Sequence, residues 1–141
     1  MADRYFLKGL ILLVLLLTFS CSQSPIVDVD CEINSGPCIK EIGGSTVVFD
    51  ITPKPVRAMR RLEFSIAIKQ KETLKEDRLL LKLSMPGMDM GENAVLLHRS
   101  EDGTYKGQGV IVRCPSGKTI WRADIEIPGL GSTYFVFDVK P

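Results

Sequence analysis

The chain has 141 residues, of which 45% are apolar, 25% charged and 7% aromatic, with a formal net charge of +1 at pH 7 and four cysteines. So even a balance supplies no concentrated basic face, which excludes nucleic acid as a partner class. The length suits one domain of roughly 100 to 150 residues with a core of its own.

Arg4 and Lys8 precede an apolar run from Gly9 to Phe19, followed by Ser20 and Cys21. These are the charged, apolar and small-residue regions of a secretory signal. The run is shorter than the roughly 20 apolar residues a spanning helix needs, and polar Ser22, Gln23 and Ser24 follow at once. Leu17-Thr18-Phe19-Ser20-Cys21 resembles a bacterial lipoprotein signal, although Thr18 stands where Leu is usual and Leu17 lies one position further out. That resemblance implies a leader over residues 1–20, diacylation of Cys21 as an anchor in the lipid bilayer, and a domain facing the periplasm. Ser22 is compatible with outer-membrane sorting. The competing reading of Cys21 is a spare thiol on a secreted protein. Removing the leader leaves 16 basic and 16 acidic residues of the 18 and 17 present.

Residues 21–40 read as a tether followed by a loop between Cys31 and Cys38, with the domain proper at 41–141. Export permits lasting disulfides. Cys31 and Cys38 bracket Glu32-Ile33-Asn34-Ser35-Gly36-Pro37, whose Asn, Ser, Gly and Pro favour turns, so these two cysteines are expected to pair. Pairing of Cys114 with either of them stays open; left free, Cys114 is a potential thiolate ligand.

From Thr46 onward apolar residues recur at alternate positions, the mark of strands with one buried face. Val47, Phe49 and Ile51 form the first run; Leu62, Phe64, Ile66 and Ile68 the second; Leu79, Leu81, Leu83 and Met85 the third. A fourth run covers 94–99, and a fifth covers 104–113, where Gly107 and Gly109 suggest a bulge or close backbone approach. Trp121, Ala123, Ile125 and Ile127 form the sixth, and Phe135, Phe137 and Val139 the seventh. The mixed charges around Lys69, Lys71, Lys75 and Arg78, interleaved with Glu72, Glu76 and Asp77, read as a solvated loop or short surface helix. Seven short strands with turn signals between them predict an all-β, seven-stranded immunoglobulin-like antiparallel β-sandwich.

In such a fold alternate connections share a pole. The segment after the first run, the one after the third and the one carrying Cys114 are therefore expected at one end, and His98, the single histidine, at the other as a surface residue. The segment after the third run is Met85-Pro86-Gly87-Met88-Asp89-Met90-Gly91. Three thioethers in a turn-forming stretch are soft ligands, suited to cuprous copper rather than to magnesium or calcium. Met is also a flexible apolar filler, and the parity of Met85 places it inward with Leu81 and Leu83.

The strand ending in Met85-Pro86-Gly87-Met88-Asp89-Met90-Gly91, then Asp102-Gly103-Thr104-Tyr105-Lys106-Gly107, then Gly117 shortly before Trp121, resembles the YtkA-like family of small exported bacterial domains, related to the FixH proteins. The likeness covers roughly the last two-thirds of the chain. It implies a small β-sandwich concerned with periplasmic copper, often considered alongside cytochrome oxidase assembly. Met85, Met88 and Met90 are the residues that would carry this role. Many relatives have His in or beside the Met segment and this chain has none, which points to cuprous ion, Cu(I), rather than cupric. Cys114 would add a thiolate to the sulfur set; its alternative is a buried structural thiol.

No catalytic constellation accompanies these residues: no Ser or Cys beside a His, no phosphate-cradling glycine loop, no His-Glu-x-x-His. A non-enzymatic role is expected. The sequence leaves two: copper binding or delivery through Met85, Met88, Met90 and Cys114, or a non-metal interaction module presenting the same segment to a protein of the cell envelope.

Overall fold

The computed structural model describes residues 27–69 and 74–141. The leader, Cys21 and the first residues of the tether lie outside the described residues, as do Lys71 and Glu72 of the charged segment.

Among the described residues eight strands follow one another: β1 (Cys38–Ile42), β2 (Ser45–Thr52), β3 (Arg61–Lys69), β4 (Arg78–Met85), β5 (Met88–Arg99), β6 (Tyr105–Val110), β7 (Ile120–Ile127) and β8 (Gly131–Asp138). The expected alternation is what forms them. In β4 the side chains of Leu79, Leu81, Leu83 and Met85 are buried, while Arg78, Leu80, Lys82 and Ser84 face outward. β7 does the same with Trp121, Ala123, Ile125 and Ile127. Successive Cβ atoms of a strand point to opposite faces, so a period of two in the sequence becomes one apolar sheet face.

The pairings between these strands are antiparallel and run in the order β1-β2-β3-β6-β5-β4-β7-β8. The sheet curls until its ends nearly meet. The remaining gap is bridged where Asp30 and Cys31 both donate backbone N–H to the Val136 carbonyl, Val136 N–H donates to the Asp30 carboxylate, and Lys40 donates to Asp30 and to the Tyr134 carbonyl. Strong aromatic contact closes the interior: Phe49 of β2 stacks on Phe135 of β8 with ring centroids 5.0 Å apart, and Phe137 lies 5.8 Å away.

The all-β, antiparallel expectation holds, with two differences of detail. Strand β1 brings the count to eight rather than seven. It lies in and just after the segment read as a loop, and its Cys38-Ile39-Lys40-Glu41-Ile42 lacks the apolar alternation of the other strands, Ile39 being 64% exposed and Ile42 only half-buried. The strands also join in one continuous pairing order rather than two separately bonded sheets. Alternation reports one buried face per strand, a property that a sandwich and a nearly closed barrel share. Cys31 and Ile33 are each 1% exposed and belong to the core, so the packed body starts ahead of residue 41. Cys31 and Cys38 are disulfide-bonded, which leaves Cys114 free.

The sorting by poles is as the alternate connections required. The β2–β3, β4–β5 and β6–β7 connections share one end, where Met59 N–H donates to the Ile111 carbonyl and Cys114 meets Met88. His98 is exposed at the other end, opposite Lys106.

Candidate metal centre

The first half of the centre is a tight hairpin. Met85 and Met88 are paired across β4 and β5, so Pro86-Gly87 alone makes the turn. Pro presets the first central φ and Gly87 takes φ +74°, the requirement of a type II turn. Just beyond it, Gly91 N–H donates to the Asp89 carboxylate and Gly91 takes φ +70°, where the register slips between Leu83 and Met85. The slip is a β-bulge, and it sets which β5 side chains face inward.

The expectation of a loop holding all three methionines is therefore corrected. Met88 and Met90 stand on strand β5, half-buried and packed against the core, because so short a turn lets pairing resume at Met88. Met85 is 2% exposed among the core residues, in line with its parity.

The second half comes from the β6–β7 connection. Cys114-Pro115-Ser116-Gly117 forms a turn closed by Gly117 N–H donating to the Cys114 carbonyl at 3.0 Å, with Gly117 at φ +75°. This turn lays Cys114 over the hairpin: its Sγ lies 3.6 Å from Met88 Sδ. The Ser116 hydroxyl completes the cluster, 3.0 Å from Cys114 Sγ and 3.7 Å from Met88 Sδ. Ser116 was not among the expected residues. The turn around Pro115 and Gly117 is legible in the sequence, but nothing in it shows that the hydroxyl doubles back on the sulfur.

Cys114 is 3% exposed, yet its thiol is held below the ordinary range. The Ser116 hydroxyl is the main cause. Burial opposes it, and the backbone N–H groups of Ser116 and Lys118 with the Lys118 charge add to it. Hydrogen bonds and cations that favour the charged form make a thiolate more accessible. An open cleft of about 230 Å³, lined by Cys114, Trp121, Val112, Lys118 and Lys140 among others, lies beside this residue.

Among the described residues no three His, Cys, Asp or Glu side chains gather as a metal-holding group. The donors that meet here are the sulfurs of Cys114 and Met88, with the Ser116 hydroxyl. Two sulfurs bound to one tetrahedral ion at about 2.3 Å lie roughly 3.8 Å apart. The observed 3.6 Å between Cys114 and Met88 is close to that separation. Met90 lies two residues further along the same strand face as Met88, whereas Met85 faces the core.

Compared with protein-family models, curated proteins and solved structures, the chain finds no match in any of the three.

Proposed function

We propose that this chain is a lipid-anchored, periplasm-facing protein of the YtkA-like kind that binds cuprous ion and passes it to a partner in the cell envelope. The observation that carries the reading is the contact between Cys114 Sγ and Met88 Sδ, brought together from connections 26 positions apart. A thiolate and a thioether are a soft donor pair suited to Cu(I) as cargo. Ser116 steadies the thiolate, loading releases the thiol proton to solvent, and the cleft beside Cys114 supplies a path for ligand exchange. Met90 is the third donor in this reading, and Met85 braces the hairpin from the core.

The immunoglobulin-like assignment belongs with this proposal. Strands β2-β3-β6-β5 and β4-β7-β8 follow the order of the two sheets of a constant-type immunoglobulin domain, with the β4–β5 pairing joining them.

Titrating the reduced protein with cuprous ion against a competing chelator tests the function. Met88→Leu and Cys114→Ser are each expected to weaken binding at least tenfold, and Met85→Leu to change it less than twofold. Affinity unaltered in both of the first two variants would remove the metal reading.

A non-metal interaction module has one observation in its favour. Leu80 and Leu96 are cross-strand neighbours on the outer face, 46% and 45% exposed. Paired exposed apolar groups are a feature of contact surfaces. On that reading Leu80→Asp abolishes partner capture while the sulfur variants leave it intact.

A further inference from the structure

We infer that the pole carrying Cys114 and Met88 is a lipid-docking surface, held against anionic headgroups by its own cations and exposed apolar side chains. The inference rests on the acyl anchor at Cys21 and is independent of whether copper binds.

Chain length comes first. Val27 lies at this pole, where it lines a surface depression with Pro86, Gly117, Lys118, Thr119 and Ile120. Six residue steps separate it from Cys21. A fully extended chain covers at most about 3.3 to 3.6 Å per residue, so an acylated Cys21 leaves this end of the domain within roughly 20 Å of the bilayer. A strand of eight residues spans about 26 Å, so the opposite pole starts out more than a leash length further away.

Charge comes second. The loops and strand ends of this pole carry Arg57, Arg60, Arg61, Arg113 and Lys118, against the carboxylates of Glu32, Glu63 and Asp89. Its other acidic groups, Asp50 and Asp138, are already paired with Lys54 and Lys140. Among the described residues Arg60, Arg61, Arg113 and Lys118 have no ion-pair partner, and all four are exposed. The described loops and strand ends of the opposite pole carry Lys69, Lys75, Arg78 and Arg99 against Glu76, Asp77, Glu101 and Asp102. The leashed end therefore carries the excess of positive charge, while the opposite end is near balance. A negative surface turns that end toward itself.

Apolar exposure comes third. Val110 stands directly opposite Arg61 on the outer face, Val112 follows two residues on, and Met59 is bonded through its N–H to Ile111 between them. These three side chains are 43%, 37% and 62% exposed. Met59 holds φ +60°, a conformation non-glycine residues seldom adopt. Apolar groups set among cations, on the end closest to the anchor, match the chemistry of a headgroup layer.

Hydrogen exchange of the full acylated protein in vesicles tests this. Phosphatidylcholine vesicles are compared with vesicles that also contain phosphatidylglycerol, and mass spectrometry of the intact protein reports the acyl groups. On the anionic vesicles the amides of 57–61 and 111–118 are expected to slow, while those of 100–104 and 128–131 do not change. Arg60→Gln, Arg61→Gln and Arg113→Gln together should keep the acyl mass and lose the protection, by about fivefold for each charge removed. Equal exchange at both poles, or protection indifferent to lipid charge, overturns the inference. Protection of 57–61 and 111–118 by polyglutamate but not by lipid overturns it in favour of an acidic protein partner. An intact protein without acyl mass removes the anchor and this inference with it, leaving the cuprous titration to stand separately.

Discussion

The thiol of Cys114 lies 3.0 Å from the Ser116 hydroxyl and 3.6 Å from the Met88 thioether, so one short turn both positions the sulfur and lowers its pKa. Ser116→Ala removes the largest influence lowering the thiol pKa. The pKa is expected to rise, and the rate of alkylation at pH 7 to fall, because the thiolate is the reactive species. The pH profile of alkylation by iodoacetamide reads this directly. An unmoved profile would show that the hydroxyl does not support the thiolate.

Gly107 and Gly109 of β6 allow β5 to pass close by. A Cβ on Gly107 would lie 2.5 Å from the Leu96 carbonyl oxygen and 2.9 Å from Leu97 Cδ2; one on Gly109 would lie 2.6 Å from Val95 Cγ2. On an open strand, replacing Gly by Ala gains about 0.4 to 1 kcal/mol through the unfolded chain. Here overpacking reverses the sign, and Gly107→Ala is expected to cost about 1 to 3 kcal/mol. Gly109→Ala should cost less, since the Val95 side chain can give way and a backbone carbonyl cannot. Urea midpoints of the two variants measure the difference.

Asn93 stands opposite Leu83, and its Nδ2 is buried without a hydrogen-bond partner. A buried unsatisfied donor costs about 1 to 3 kcal/mol. Asn93→Leu, similar in volume and without that donor, is expected to raise stability by about 1 kcal/mol in the same urea measurement. A loss of stability would mean that the amide has a partner in solution.

Asp138 loses ground to burial, which raises its pKa. The Lys140 ammonium and the Thr119 hydroxyl outweigh this, so the carboxyl is held below its ordinary value. A carboxyl lowered on folding stabilises the protein above the unfolded pKa near 3.9, and the contribution disappears as the pH falls through the folded value. The pair is partly exposed, with side chains 31% and 48% accessible, so the gain is below about 1 kcal/mol. Lys140→Gln is expected to lower stability at pH 6 and to narrow the difference from the unsubstituted protein at pH 3. A constant difference across that range would exclude the pair as its source.

Local chemistry alone determined much of this protein. Period-two alternation named nearly every inward residue of β2, β3, β4 and β7, because the pleat converts sequence parity into a face. The turn residues between Cys31 and Cys38 marked a closable loop, and counting connections placed Cys114 at the pole of the Met segment. Tertiary structure decided the rest. β1 exists because β2 offers a paired edge and the disulfide holds Cys38 in place, neither of which leaves an apolar trace in Cys38–Ile42. Met88 and Met90 became half-buried strand residues because the hairpin turns within two residues, and Met85 went to the core. The partnership of Cys114 and Ser116 with Met88 spans separations of 26 and 28 positions, and only the curl of the sheet brings those positions into contact.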